Sequence, residues 1–356
     1  MRIGHIGFEA ATVVVLGAGA TRGASFVEKH GAVLPPLDSD FFTQAQRLSS
    51  SKPKHLLEDL IADVVSVFGT NIRLTIEGYL TKIEHLRNVY GDYRFQGRPP
   101  ANPYLVMRDR FTQVLAAVMD EALGRDRHCD NHIALAAFLS HNDSILSFNY
   151  DWLMDMTLRD TRPDIWNPRI SYGVNAYVRG KKGKGTEFWA GTKPGSQSKE
   201  YPTPSISLLK LHGSMNWFPI PSDRQQIRLQ LRQRWWHQNG VVRFEIVPPE
   251  WNKRIRTGVY VNVWREARRA LLGSSAIVFI GYSLPTTDLP AKALFMVDAG
   301  GEGGAPDLDL LVVVNPDQEA RRRVRDVLNK RISPQARVMS FDHFSEFAEY
   351  VSGDVP

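Results

Sequence analysis

The chain of 356 residues is 43% hydrophobic and 23% charged, which is typical of a soluble globular protein that forms one large domain or two ordinary ones. Its single cysteine, Cys129, excludes internal disulfides and a four-cysteine zinc site, and the lack of a signal pattern or of an apolar run of ~20 residues predicts a cytoplasmic protein outside the membrane. Lys and Arg exceed Asp and Glu by 44 − 38 = 6, an excess that suits an anionic ligand but is mild for a dedicated nucleic-acid binder.

The first element is the stretch Val13–Phe26, VVVLGAGATRGASF, which predicts a buried strand, a turn of small residues and the start of a helix. Such a turn presents backbone N–H groups to a ligand, and only small side chains let a pyrophosphate come close. Arg22 stands where a dinucleotide motif has its third glycine, and no Gly-Lys-Ser/Thr of a P-loop follows. The stretch therefore predicts either a pyrophosphate site or a tight strand-to-helix turn without a ligand.

A long helical region comes next. From Leu56 to about Leu139, apolar residues recur at three- and four-residue spacing. The predicted order of elements is a strand, several helices and another strand. This order predicts a helical insertion at residues 51–140 in an α/β domain made of residues 1–50 and 141–356.

Two acidic residues precede this region in the irregular loop Val33–Phe42, VLPPLDSDFF. Asp38 and Asp40 lie about 20 residues past the glycines, where dinucleotide folds place a ribose-binding acid. No strand pattern leads into them, so capping of the helix that starts near Phe41 is the favoured role.

Two further clusters have both a functional and a structural interpretation. His128, Cys129 and His132 could bind a ligand, but their spacing matches no common zinc pattern and favours a surface cluster at a helix start. Arg228–Gln238, RLQLRQRWWHQ, and the basic block Arg321–Arg325 could contact nucleic acid or a protein partner. An amphipathic segment that covers the sheet explains the first of these equally well.

Small or polar residues also follow four later predicted strands, as FNYD (148–151), LHGS (211–214), GYSL (281–284) and VNPD (314–317). The alternation of strands and helices predicts a doubly wound, mostly parallel Rossmann-like sheet, whose strands deliver ligand contacts at their carboxyl ends. Each segment also fits a structural role, with Asp151 capping the next helix and His212 as a core histidine.

Taken together and in this order, GAGAT, FNYD, LHGS, GYSL and VNPD resemble the sirtuin-like family from Val13 to Asp317. PPLDSDFF, VPPEWNK and GYSLPTTD are similar to segments of bacterial sirtuin-like proteins of antiphage defence, which hydrolyse NAD. The helical insertion resembles the cap of that branch. Deacylating sirtuins carry a four-cysteine zinc ribbon, which a chain with one cysteine cannot form. They also carry a GIPDFR-type loop, and this chain has Gly23–Phe26 in its place. Both differences count against protein deacylation.

The resemblance implies NAD as substrate, no metal, and roles for individual residues. Asn149 would hold the ribose and the attacking water, His212 would act as general base, and Asp151 would orient this constellation. The residues implied for the pyrophosphate are Gly17, Ala18, Gly19, Ala20, Thr21 and Arg22, and those implied for the adenosine end are Gly281, Ser283 and Asn315.

The predicted function is that of an NAD hydrolase in antiphage defence by abortive infection, which cleaves the nicotinamide–ribose bond to nicotinamide and ADP-ribose. Because an unregulated NADase would kill its host, control by homo-oligomerisation or by a separately encoded partner, an ATPase or a nucleic-acid-sensing protein, is expected. The alternatives are an NAD-dependent ADP-ribosyltransferase or deacylase, and a non-catalytic module that binds NAD, ADP-ribose or nucleic acid. A dehydrogenase is disfavoured because no second substrate-binding domain is visible.

Overall fold

The computed structural model describes residues 11–27, 33–70, 74–90, 102–124, 128–168, 170–178, 206–220, 223–229, 244–246, 258–296 and 304–353. Strands in these ranges are β1 (Ala11–Leu16), β2 (Ser144–Ser147), β3 (Asn175–Val178), β4 (Ser207–Lys210), β5 (Gly213–Ser214), β6 (Trp217–Ile220), β7 (Asp223–Leu229), β8 (Glu245–Ile246), β9 (Ser274–Ile280), β10 (Leu308–Val314) and β11 (Ile332–Phe341). The helices are α1 (Ala18–Arg22), α2 (Phe41–Gln46), α3 (Ser51–Phe68), α4 (Ile76–Tyr90), α5 (Pro103–Leu123), α6 (Asp130–Phe138), α7 (Leu153–Thr161), α8 (Tyr260–Leu272), α9 (Leu289–Phe295), α10 (Gln318–Leu328) and α11 (Phe344–Ser352).

The central sheet has six parallel strands in the order β4-β2-β1-β9-β10-β11. Counted along the chain, this is the order third, second, first, fourth, fifth, sixth, which defines a doubly wound Rossmann sheet with its switch point between β1 and β9. The predicted fold class, a doubly wound parallel α/β sheet with helices on its faces, is confirmed.

The central strands are apolar along their length because helices cover both faces of a parallel sheet. All seven residues of β9, SSAIVFI, are buried, and so is every residue of β10 except Asp309. Helices meet this sheet through stripes at helical spacing, as with Ala320, Val324 and Leu328 of α10.

A second core lies in the helical region between β1 and β2. Phe111 of α5 contacts Phe41 of α2 and stacks on Tyr79 of α4, with ring centroids 4.8 and 4.9 Å apart. The same cluster includes Tyr150, from the turn after β2, and Met215, which follows β5. The helices therefore pack directly on the carboxyl edge of the sheet, while the predicted boundaries of the insertion stay a prediction.

The expected capping roles of the two acids near Phe41 are wrong. Asp40 precedes α2, but its carboxylate makes no capping bond there and instead accepts from the N–H of Leu37 and from Arg22. Asp38 serves another helix, because its carboxylate accepts the N–H of Glu77 in α4 at 2.8 Å. The loop thus joins the start of α4 to the end of α1.

The prediction of a surface cluster at the start of α6 is also wrong for two of its three residues. His128 is exposed, but Cys129 and His132 are fully buried, with Sγ and Nδ1 3.0 Å apart. Burial raises the pKa of the Cys129 thiol, but the hydrogen bond and charge of His132 and the N–H of Ser25 outweigh it and lower the pKa to about 7. This pair anchors α6 to the segment after α1.

Candidate active site

Five strand ends meet at one edge of the sheet. The last residues of these strands are Cα partners in one continuous row: Lys210, Ser147, Leu16, Ile280 and Val314. Because all five strands run parallel, the segments that follow them emerge side by side. The predicted site segments are therefore brought together, with Asn149 and His212 each two residues beyond the paired ends of β2 and β4.

The turns after β1 and β9 touch backbone to backbone, which explains their glycines. The N–H of Gly19 donates to the carbonyl of Gly281 at 3.0 Å, and a Cβ on Gly17 would lie 2.4 Å from the Cα of Tyr282. A Cβ on Gly281, whose φ is +62°, would lie 2.1 Å from the nitrogen of Ala20. The N–H groups of Gly17 and Ala20 also donate to protein carbonyls. The tight-turn interpretation thus accounts for these glycines, and their pyrophosphate role stays a prediction.

Arg22 ends the short helix α1, which begins at Ala18, and is held by the neighbouring loop. Its Nε donates to the carbonyl oxygen of Pro35 at 2.6 Å, and its guanidinium forms an ion pair with Asp40. Its predicted contact with a pyrophosphate would compete with this pair.

A buried hydroxyl connects the glycine turn to the turn after β2. Thr21 Oγ1 donates to Asp151 Oδ2 at 2.7 Å, and Asn149 Nδ2 donates to Thr21 Oγ1 at 3.1 Å. Since a carboxylate only accepts, the single hydroxyl proton points to Asp151, and this sets the orientation of the Asn149 amide. The other amide atom, Asn149 Oδ1, is buried without a hydrogen-bond partner among the described residues.

The structural alternative foreseen for Asp151 is confirmed in part, because its Oδ1 accepts the N–H of Leu153 at the start of α7 at 2.9 Å while Trp152 holds the N-cap position. Its backbone is fixed by Lys210, whose buried ammonium donates to the Asp151 carbonyl and pairs with Asp155 at 3.1 Å. Sequence reasoning missed this ion pair, although the one charged residue in SLLK and an acid in the first turn of α7 were visible signals.

The carboxylate beside His212 is Asp288, with Nε2 and Oδ2 3.2 Å apart and both side chains at most 6% exposed. The ring of Phe148 meets the imidazole edge-on at 5.0 Å between centroids, and it stacks on Tyr282 at 4.1 Å. Asp288 Oδ2 also accepts from the Tyr282 hydroxyl at 3.0 Å. Burial, then the charges of Asp288 and Glu77, raise the pKa of Tyr282 well above its usual value, so this hydroxyl stays protonated.

Asp151 was predicted to orient the site, a role that stays a prediction, and the structure places two acids near the predicted catalytic pair. Asp151 acts on Asn149 through Thr21, whereas Asp288 meets His212. Asp288 is the last residue of the segment GYSLPTTD. Its contact with His212 was not predicted, because an acid just before a helix is usually interpreted as the N-cap of that helix. It is also that N-cap, since its Oδ1 accepts the N–H of Ala291 at 3.3 Å.

The residues predicted for the adenosine end stabilise turns. Asn315 Oδ1 accepts the N–H of Asp317 at 3.0 Å, and the Ser283 carbonyl accepts from Arg323 Nε at 3.0 Å. Their ligand roles stay predictions.

The arginines of α10 have partners within the chain, which weakens the interpretation of Arg321–Arg325 as an interface. Arg321 pairs with Asp342, and Arg322 pairs with Glu319. Arg323 pairs with Asp317 and donates to the carbonyl of Ser283. Arg325 donates to the hydroxyl of Ser340. Of the other basic stretch, Arg228–Gln238, all but the first two residues lie outside the described ranges.

The described part of the chain lacks two features that would point to other kinds of function. It holds no group of three or more His, Cys, Asp and Glu side chains arranged to bind a metal ion. Nor does it contain a helix with the length and apolarity needed to cross a membrane.

No family model matches the chain, and no curated protein matches it. Among solved structures, it is similar to Sir2 in complex with the inhibitor EX-527, 2′-O-acetyl-ADP-ribose and a deacetylated p53 peptide, at 13% identity and a TM-score of 0.36 over 97% of this chain and 93% of that one. It is also similar to a mutant Sir2 homologue in complex with 2′-O-acetyl-ADP-ribose, at 12% identity and a TM-score of 0.36 over 97% and 94%. At these TM-scores the likeness adds no argument about the site or its chemistry.

Proposed function

We propose that this protein binds NAD across the carboxyl edge of its sheet and hydrolyses the nicotinamide–ribose bond. The observation that carries the proposal is Asn149 Oδ1, which is buried without a hydrogen-bond partner among the described residues and lies two residues beyond β2, the neighbour of the strand before His212. Leaving a buried acceptor without a donor costs about 1–3 kcal/mol, and a ligand or a bound water that supplies the donor removes this cost. A ribose hydroxyl or a water molecule is a donor of the right kind.

The chemistry follows from the two side chains. Water attacks the anomeric carbon of the nicotinamide ribose, the bond from that carbon to nicotinamide breaks, and the proton of the water passes to His212 as general base. Asn149 holds the hydroxyl or the water through its unsatisfied oxygen, and Thr21 keeps the amide in that orientation. The products are nicotinamide and ADP-ribose.

The proposal extends to the setting of the reaction. An enzyme that depletes NAD in the cytoplasm during antiphage defence must be restrained in the absence of infection. We therefore place control in self-assembly or in a separately encoded partner. Full NAD cleavage by dilute monomer would argue against this part.

The test is incubation of purified protein at high concentration with NAD, followed by chromatography of the products. His212→Ala should lower the rate about 10²–10⁴-fold because the general base is lost. His128→Ala, at an exposed histidine, is the matched control and should cleave like wild type. Undiminished cleavage by His212→Ala would refute the assigned chemistry.

Two additions to the assay separate the other functions. Acetylated peptide included with NAD would yield acetyl-ADP-ribose only from a deacylase. NAD that stays intact but raises the melting temperature would indicate a binding module, and repeating the assay with candidate partners would reveal a missing activator.

A further inference from the structure

We propose that Asp288 is the positioning residue of His212 and that it fixes the imidazole tautomer in which Nδ1 is the basic nitrogen. The inference rests on the proposed function, in which His212 is the general base. Its geometric basis is the 3.2 Å separation of His212 Nε2 and Asp288 Oδ2 between two buried side chains. Asp151, which was expected to orient the site, accepts instead from Thr21 and from the N–H of Leu153.

The Asp288 carboxylate is itself held on two sides. Oδ1 accepts the N–H of Ala291 in the first turn of α9, and Oδ2 accepts the hydroxyl of Tyr282. The high pKa of Tyr282 keeps that hydroxyl a donor. Because one oxygen caps a helix, the carboxylate cannot rotate away from His212 without losing the cap.

A carboxylate accepts hydrogen bonds but does not donate them, so the His212 nitrogen that faces Asp288 must carry the proton. With the proton on Nε2, the lone pair of the neutral ring lies on Nδ1. When Nδ1 takes a proton from water, the buried charge of Asp288 stabilises the resulting imidazolium. The second acid near this pair is Glu77 of α4, whose Oε2 accepts from the hydroxyl of Thr287, the residue before Asp288.

Replacing Asp288 by asparagine reverses this arrangement. The Ala291 N–H still requires an acceptor, so the amide oxygen stays at the cap and the amide nitrogen turns to His212, while the Tyr282 hydroxyl can rotate to accept. The amide then donates to Nε2, and the imidazole proton moves to Nδ1. We expect Asp288→Asn to lower the rate of NAD cleavage roughly 10²–10⁴-fold with KM changed only a few-fold, as for other general bases locked in the wrong tautomer.

The tautomer is read directly by ¹⁵N NMR of protein labelled in its ten histidines. The His212 signals are those that disappear in His212→Gln. Wild type should show the proton on Nε2, and Asp288→Asn should show it on Nδ1. Asp317→Asn is the matched control, because Asp317 also caps a helix, α10, through the N–H of Glu319 at 2.9 Å. It should leave the His212 signals unchanged and the rate within about threefold of wild type.

The possible results separate the two proposals. A wild-type His212 with its proton on Nδ1, or identical His212 signals in wild type and Asp288→Asn, would overturn the positioning role, whether or not the protein cleaves NAD. If NAD is cleaved at the wild-type rate by Asp288→Asn, the role of Asp288 fails while the hydrolase proposal stands. If Asp288→Asn does not fold, the wild-type spectrum alone decides.

Discussion

At the scale of single residues, one hydroxyl sets the orientation of the candidate site. Thr21 is almost completely buried and bonds to both Asp151 and Asn149. Its proton points to the acid and its oxygen receives the amide, so the carbonyl oxygen of Asn149 must face the other way. The hydroxyl thus connects the turn after β1 to the turn after β2 and directs Asn149 Oδ1 away from Thr21.

Thr21→Val keeps nearly the same shape but removes this hydroxyl. We expect a loss of about 1–3 kcal/mol in the free energy of unfolding, because two buried polar groups lose a partner. We also expect a lower rate of NAD cleavage, because the Asn149 amide can turn. Urea unfolding and the cleavage assay measure the two effects.

Thr21→Ser retains the hydroxyl and serves as the comparison, so it should lie much closer to wild type in both measurements. Equal behaviour of the two variants would mean that the hydroxyl has no part in ordering the site.

Some residues of the candidate site could be predicted from the sequence, and others could not. Asn149 and His212 stand out because they follow apolar strands, where polar groups need a reason to be present. Asp288 lies beyond the strand end at a helix start, where an acid has an ordinary explanation. Its contact with His212 connects the segment after β4 to the loop after β9. The periodicity of apolar residues does not predict contacts between side chains so far apart in the sequence.

At the scale of elements, the two crossover turns at the switch point form a single packed unit. Gly281 has φ +62°, and an added Cβ would strike the nitrogen of Ala20. Gly69 has φ +81° at the end of α3, but nothing lies within 4 Å of an added Cβ there. A substitution at Gly69 therefore tests backbone strain alone, whereas a substitution at Gly281 tests strain together with a steric clash.

Gly69→Ala should cost about 1–3 kcal/mol in the free energy of unfolding from strain alone. Gly281→Ala adds the separation of two packed turns and should cost roughly 2–6 kcal/mol. Thermal or urea unfolding of both variants measures the difference. A Gly281→Ala protein as stable as Gly69→Ala would show that the two turns are not tightly packed.

Elements buried on both faces were the easiest to predict. The segment VNPD (314–317) was expected to follow a strand, and it begins at the last residue of β10, whose apolar run is easy to recognise. By contrast β7, with the sequence DRQQIRL, carries no such run and was not foreseen. It pairs with β3 and β6 in a small sheet, and this tertiary pairing outweighs the weak local preference.

At the scale of the whole molecule, the helical region and the parallel sheet are joined at the candidate site. The Thr287 hydroxyl donates to Glu77 Oε2 of α4 at 2.6 Å, and the N–H of Glu77 donates to Asp38. Thr287 precedes Asp288, the partner of His212. The helical region thus holds the loop that positions the candidate base, a connection between residues 210 positions apart that sequence patterns do not show.

Glu77→Ala should loosen this loop without unfolding the sheet. A hydrogen bond to a charged group contributes about 1.5–3 kcal/mol, so amide exchange at Asp288 and Leu289 should become about 10–100-fold faster. Both amides are hydrogen-bonded within the loop, to Pro285 and Thr287. Hydrogen exchange measured by mass spectrometry or NMR resolves the change.

The control is Glu58→Ala. The Glu58 side chain lies on α3 and is 72% exposed, so its removal should leave exchange in the loop at the wild-type rate. Exchange in α10 should stay the same in both variants, because α10 packs on the parallel sheet through Ala320, Val324 and Leu328. If the rate rises equally in the loop and in α10, Glu77 stabilises the molecule as a whole. If it rises only in the loop, movement of the helical region is transmitted to the neighbour of His212, and a partner that binds those helices has a physical route to the site.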